Sequence, residues 1–248
     1  MGTNVKSANL GSIWYVKVEP PVTRNLEGWF TLDSDPSRFW FNRAPDKPDA
    51  VIVGSPAAYA GYGRFKGNTN YLQTQIPDSD EVTIIAVSRA PVVPTGSADG
   101  VFIVGAHAGS IKTIGYTGEA SGGNLYLDHP TASKASASRD DGAGVVTTAN
   151  IVAYGTPPGN WALKSLRAKS GAPTIMVDHT AGIVTTGVNS NKRVLTNNLY
   201  RIGSATRGFP GEADISFVAI HSAYLTDAEI NAQIAVVRKR MARLGISV

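Results

Sequence analysis

The 248-residue chain contains no cysteine. It can therefore hold neither a disulfide framework nor a thiolate metal site, and its stability must come from a packed core or from subunit contacts. It has no apolar run long enough to span a bilayer, so no membrane insertion is expected. Its first residues lack the basic, apolar and small-residue plan of a signal peptide, which leads to the expectation of a protein assembled in the cytoplasm. Charge is also sparse. Only 17% of residues are charged, and the net +4 is dispersed apart from "RKRMAR" (Arg238 to Arg243). Nucleic-acid binding calls for a concentrated basic stripe, and no nucleic-acid partner is expected.

The usual catalytic patterns are missing as well. His107, His129, His179 and His221 are too far apart for a spaced metal motif, and there is no His-Glu-x-x-His. No Gly-x-Ser-x-Gly elbow presents a nucleophile, and "GYGRFKG" (Gly61 to Gly67) lacks the Lys-Ser/Thr pair needed to cradle a phosphate. No catalytic residue is assigned.

What the chain does have is apolar residues (42%) broken up by 26 glycines and 14 prolines. That composition favours short elements joined by turns. From Ala50 onward a series of candidate strands follows: "AVIVG", "YGRFKG", "YLQTQI", "EVTIIAVSRA", "GVFIVGAH", "SIKTIGYTG", "NLYLD", "GVVTTANIVAYG", "NWALKSLRAKSG", "PTIMVD", "AGIVTTGV", "KRVLT", "NLYRIGS" and "ADISFVAIH". Several alternate with period two, as half-buried strands do. Many short strands with closely spaced turn signals predict an all-β sandwich or barrel. "TASKASASRDDGAG" (Thr131 to Gly144) is small and polar throughout and reads as a surface loop.

Residues 1–49 differ in character. "SIWYVKV" (Ser12 to Val18) reads as a strand, and "GWFTLDSDPSRFWFN" (Gly28 to Asn42) reads as a hairpin or two edge strands rich in aromatics. Trp29, Phe30, Phe39, Trp40 and Phe41 fit either a core or subunit contact or an exposed ligand platform. The expected organisation is an attachment or oligomerisation segment over 1–49 and a sandwich domain over 50–248.

The chain ends in a predicted helix. Thr226 and Glu229 have capping-box spacing, and Ile230, Ile234, Val237 and Met241 form one apolar stripe. The basic cluster then falls at the negative end of the helix dipole, and Gly245 can terminate it.

The stretch "NLYRIGSATRGFPGEADISFVAIHSAYLTDAEINAQI" resembles the closing segment of laminin-G-like domains in the concanavalin A-like lectin and glucanase superfamily. The matching features are Ile202, Gly203 and Ser204, then Phe209 and Gly211, Ile215, Tyr224, and Leu225, Thr226, Glu229 and Ile230. Trp161 and Val177–Asp178 match the family's upstream strands. The resemblance covers roughly residues 50–235. It implies a jelly-roll β-sandwich of two antiparallel sheets with a C-terminal α-helix, and one sheet face that often holds a saccharide. The chain departs from the family at Asp178-His179, where glycine usually follows the aspartate, and at Glu212-Ala213-Asp214, which lacks the third carboxylate of the glucanase motif. Retaining hydrolysis needs two opposed carboxyl groups.

On this reading the protein is a non-enzymatic component of a phage or prophage virion (a tail fibre, receptor-binding or decoration protein) that recognises a cell-surface glycan. A soluble bacterial lectin-like protein is the alternative, and a glycoside hydrolase the third reading. Tyr59, Tyr62, Tyr71, Tyr116 and Tyr126 are the candidate sugar-stacking residues, each equally suited to the core, and Trp161 is read as core. Asp140 and Asp141 could supply oxygen ligands to calcium, although their spacing fits no calcium-loop motif. The expected partners are other virion proteins and further copies of the chain, a homotrimer being what the phage-fibre resemblance implies.

Overall fold

The computed structural model describes residues 20–33 and 35–248, so the candidate strand at 12–18 lies outside the described residues. The first strands are β1 (Leu26–Thr31), β2 (Val51–Val53), β3 (Ala57–Tyr59), β4 (Tyr62–Lys66), β5 (Tyr71–Pro77) and β6 (Val82–Arg89). They are followed by β7 (Val101–Gly105), β8 (Gly109–Ser110), β9 (Glu119–Ala120), β10 (Asn124–Leu127), β11 (Ser133–Asp140) and β12 (Val146–Ala153). The last strands are β13 (Ala162–Lys169), β14 (Ala172–Asp178), β15 (Ile183–Thr186), β16 (Leu199–Ile202) and β17 (Glu212–His221), and helix α1 (Asp227–Arg243) closes the chain.

Eight strands form one antiparallel sheet in the order β15-β14-β13-β6-β17-β4-β3, with β1 also paired to β17. Seven form the other in the order β12-β11-β10-β7-β16-β5-β2, and β8 and β9 make a small separate hairpin. The fold is a jelly-roll β-sandwich with a C-terminal helix. Between the sheets, Ile84, Ala86, Leu166, Val218 and Ile220 meet Leu72, Ile103, Leu125 and Ile202. The alternate residues Ile85, Val87, Leu163, Phe217 and Ala219 form a second core with Ile230, Ile234, Val237 and Met241 of α1. This double burial explains why "VTIIAV" and "ISFVAI" are nearly continuous apolar runs: both faces of β6 and β17 are covered. Each fully buried Ile or Val contributes about 1.5–3 kcal/mol. The predicted capping box is formed, with Thr226 Oγ1 accepting the Glu229 amide and Glu229 Oε2 accepting the Thr226 amide at 2.7 Å.

The aromatic segment near the N-terminus divides between these layers. β1 pairs with β17; Phe30 enters the core between the sheets, and Trp29 the core under α1, where it packs edge-on against Phe217 at 4.7 Å. Phe39 packs on Phe65 at 5.7 Å, while Trp40 stays exposed. Among the described residues of this stretch no second strand completes the expected hairpin. Asp35 and Pro36 instead start a single 3-10 turn, Pro36–Arg38.

Thr131–Gly144 is a clear correction. Rather than a surface loop, Ser133–Asp140 forms β11, inside the seven-stranded sheet between β10 and β12. Its composition resembles a loop because small residues are what fit there. Ala135 and Ala137 point into the core, while Ser136 and Ser138 lie on the opposite face with their hydroxyls hydrogen-bonded. Residues 110–118 and 192–196, expected as strands, contribute mainly isolated bridges, Ile111 to Thr196 and Arg139 to Arg193.

Candidate functional site

The five candidate tyrosines do not converge. Tyr59 and Tyr62 face each other across the β3–β4 hairpin, stacked at 5.0 Å, and Tyr62 meets Trp161 edge-on at 5.2 Å. The guanidinium of Arg64 lies over Tyr59 at 4.9 Å, and that of Arg89 over Trp161 at 5.0 Å. Both arginines bind the fully buried Asp214, at 2.7 and 2.9 Å. These rings are held in a cation–π cluster on the eight-stranded sheet. Tyr71, on the other sheet, lies under Arg201 at 4.8 Å. Tyr116 donates its hydroxyl to the Asp140 carboxylate, which holds that carboxyl below its ordinary pKa and raises the phenol's.

Asp140 and Asp141 form the β11–β12 turn. Asp141 Oδ1 accepts the amides of Ala143 and Val145 at 2.7 and 3.1 Å, and Asp140 Oδ1 accepts those of Gly142 and Gly144. No group of three His, Cys, Asp or Glu residues able to hold a metal occurs among the described residues. With these oxygens bound to backbone and no third acidic ligand nearby, the pair does not fit a calcium site.

Tyr126 lines a cavity of about 370 Å³. Its floor is the outer face of β10, β11 and β12. Alternation explains the floor: Leu125 and Leu127 point into the main core, which puts Tyr126 on the other side with Phe102. Ser136 is paired in register with Asn124 on one side and Asn150 on the other. The Tyr126 hydroxyl donates to Asn150 Oδ1 at 3.2 Å, Asn124 Nδ2 donates to Ser136 Oγ at 3.1 Å, and the Ser138 and Thr148 hydroxyls lie 3.0 Å apart. The small Ser136 side chain leaves a hollow that a larger residue would fill.

Two segments wall the cavity. The β8–β9 hairpin brings Ala108, Glu119 and Ser121, docked through Ser138 Oγ, which accepts the Ser121 amide at 2.7 Å. The β16–β17 loop brings Arg207 and Phe209. Phe209 packs edge-on against Tyr126 at 5.2 Å, Phe102 at 5.3 Å and His107 at 5.6 Å. Its backbone also approaches Gly67, where a Cβ would sit 1.8 Å from the Phe209 carbonyl oxygen, so only glycine fits there. At the lip, Arg207 grips Glu119 through two parallel contacts, one of 2.8 Å.

Backbone strain concentrates here. Five described non-glycine residues have positive φ: Asn25, Asp46, Asn68, Ala108 (37°) and Phe209 (51°). Asn and Asp tolerate that region, whereas Ala and Phe do so at a cost of about 1–2 kcal/mol each. Both of the costly residues line the cavity, and such strain clusters at binding sites.

The site's electrostatics are those of a neutral pocket. Burial, and then the charge of Arg207, push His107 below its ordinary value, so its ring is uncharged at neutral pH. Burial, and then Asp128, raise Tyr126, which stays protonated. Glu119 and Arg207 stabilise each other's charged forms through their hydrogen bonds. Glu119 is the single carboxylate lining the cavity, whereas glycoside hydrolysis uses a pair. Of the lining residues, the sequence reading named Tyr126 for its ring, Phe209 as a fold landmark and His107 only among histidines without a metal motif. It did not single out Glu119, Ser121, Ser136, Thr148, Asn150 and Arg207, which come together through topology alone.

No family model matches the chain, and no curated protein matches it in sequence. Solved structures do match it in fold. The receptor binding domain of botulinum neurotoxin D is similar with a TM-score of 0.59 at 7% identity, over 88% of this chain and 53% of that one. The binding domain of Paraclostridial Mosquitocidal Protein 1 gives 0.58 at 11% identity, over 86% and 52%. The serotype D ligand binding domain in complex with N-acetylneuraminic acid gives 0.58 at 9% identity, over 87% and 51%. The chain thus spans about half the length of these structures. At such identities the likeness is one of architecture: this chain has the β-sandwich fold found in these receptor-binding domains.

Proposed function

We propose that the protein is a non-enzymatic binding module that takes a saccharide into the cavity on the outer face of the seven-stranded sheet. The observation that carries this reading is the combination of a polar floor (Ser136, Thr148, Asn150 and the Tyr126 hydroxyl) with one aromatic wall, Phe209. Such a surface hydrogen-bonds sugar hydroxyls while covering an apolar C–H face. A fold shared with a domain solved in complex with N-acetylneuraminic acid is consistent with it. The single carboxylate in the cleft favours binding over hydrolysis.

The test is a glycan-array screen of the protein beside a Thr148→Trp variant, with melting temperatures for both. Thr148 is exposed on an outer strand, so a large ring there fills the cleft without entering the core. The expected result is a saturable signal lost in the variant at unchanged melting temperature. Absence of any signal, or a signal that survives the plug, would overturn the reading.

The setting we propose for such a module is a phage or prophage virion, on the strength of the lectin-like closing segment from Asn198 to Ile234. The segment before β1 is then proposed to join the subunit to its copies or to the particle. Comparing the solution mass of the whole chain with that of a chain lacking residues 1–19 tests this, and an unchanged oligomeric state would count against it.

A further inference from the structure

We propose that the cleft selects neutral saccharides over acidic ones, and that the Glu119–Arg207 pair at its lip sets this choice; the inference rests on the saccharide reading above. The charge in the cleft is confined to this pair. Glu119 is the one carboxylate and Arg207 the one guanidinium among its lining residues, and they face each other in a two-point contact. The remaining polar groups (Ser121, Ser136, Thr148, Asn150 and the Tyr126 hydroxyl) are uncharged, as is His107 at neutral pH.

Lys134, Lys192 and Arg201 are not among the lining residues and make contacts of their own. Lys134, opposite Tyr126 in register, binds Asp128 at 2.9 Å. Lys192 sits over the Tyr116 ring at 5.7 Å, and Arg201 donates to Gln73 Oε1 at 2.8 Å and to the Ala205 carbonyl. An acidic sugar that takes the two N–H groups facing Glu119 would have to displace that carboxylate, exchanging one for another, and one that takes the remaining N–H groups would set a second negative charge beside Glu119 on a guanidinium already paired. Either way the net gain is small.

A neutral sugar needs no such exchange. Each carboxylate oxygen keeps acceptor capacity beyond its bond to the arginine, so Glu119 can accept from a sugar hydroxyl while a guanidinium N–H of Arg207 donates to a neighbouring one. The Asn150 side-chain nitrogen is available as a further donor, because Asn150 uses its oxygen to accept from Tyr126. The pair thus acts as a hydroxyl clamp for neutral ligands and offers carboxylates little additional attraction.

The test compares neutral oligosaccharides with their sialylated counterparts by glycan array and calorimetric titration, using the wild-type chain, Glu119→Gln and Thr148→Trp. The wild type is expected to prefer the neutral members by about tenfold or more. Glu119→Gln frees the guanidinium and is expected to raise binding of the sialylated members about tenfold, with little change in melting temperature because exposed ion pairs contribute little to stability. Wild-type preference for sialylated members, abolished by Thr148→Trp, would overturn the neutral-sugar inference and leave the cleft reading standing. Absence of change in Glu119→Gln would remove the pair from its selecting role. Failure of both ligand classes to bind would overturn the reading on which the inference rests.

Discussion

The Tyr126 hydroxyl reaches across β11 to donate to Asn150 Oδ1 at 3.2 Å, so that one hydrogen bond ties the aromatic strand β10 to the exposed strand β12 above the Ser136 gap. Tyr126→Phe removes this donor and leaves an acceptor that water can reach. We expect a stability loss of no more than about 1 kcal/mol in urea unfolding. Saccharide affinity should fall by about three- to tenfold, since Asn150 is no longer held in place. Unchanged affinity would mean that Asn150 takes no part in binding.

Ala108 offers a test of strain. Its φ of 37° costs a residue with a Cβ more than it costs glycine. Ala108→Gly is expected to stabilise the fold by about 1 kcal/mol. It is also expected to weaken saccharide binding, because the β8–β9 wall gains freedom. Destabilisation in urea would show that the Ala108 methyl contributes packing that outweighs the backbone strain.

Much of the sandwich is readable from sequence because its signals are local. β6 and β17 announce themselves as apolar runs, and Thr226 with Glu229 fixes where α1 begins. β11 is not readable in that way, because Ser and Ala are as common in loops as in strands; only the neighbours of Ala135 and Ser136 reveal that small size is required. The cleft is harder still. Glu119 and Arg207 are 88 residues apart, and Ser136, Thr148 and Asn150 belong to residue types too ordinary to single out. Aromatic content alone placed Tyr59 and Tyr62 beside Tyr126 as candidates, yet arginines cover two of these rings on the opposite sheet.

Asp214 tests that distinction. It is fully buried and holds Arg64 and Arg89, whose side chains are 27% and 30% exposed, over the Tyr59–Tyr62–Trp161 cluster. Asp214→Asn removes the charge both guanidiniums share. Because the arginines are partly solvated, the expected loss is about 2–3 kcal/mol, at or below the lower limit of about 3–5 kcal/mol for breaking a fully buried pair. Saccharide binding should persist at a temperature where the variant remains folded, since the cleft lies on the other sheet. Loss of binding in the folded variant would return Tyr59 and Tyr62 to the ligand site.

Stability should rise with pH in two windows. Burial, and then Arg238, push His179 down to about 4, while burial lowers His107 and His221 as well. His221 shows why the folded state refuses the proton: its Nδ1–H donates to the Arg24 carbonyl, and Nε2 accepts from the Gln233 amide at 2.7 Å, an arrangement that needs the neutral ring. Unfolded histidines titrate near about 6.5, so between there and about pH 4 the unfolded chain binds more protons and stability falls on acidification. Burial likewise pushes Lys164 down to about 8, against an unfolded value near about 10.4. The unfolded chain again binds the extra proton, so stability climbs between those values. Urea unfolding at about pH 5, 7.5 and 10 measures both windows. His179→Gln should reduce the acid loss, and Lys164→Met should flatten the alkaline rise while Asp178 keeps its bonds from Thr156, Thr180 and Ala181. Stability at pH 5 equal to that at pH 7.5 would mean that these histidines accept protons without unfolding, and that the buried geometry of His221 yields to protonation.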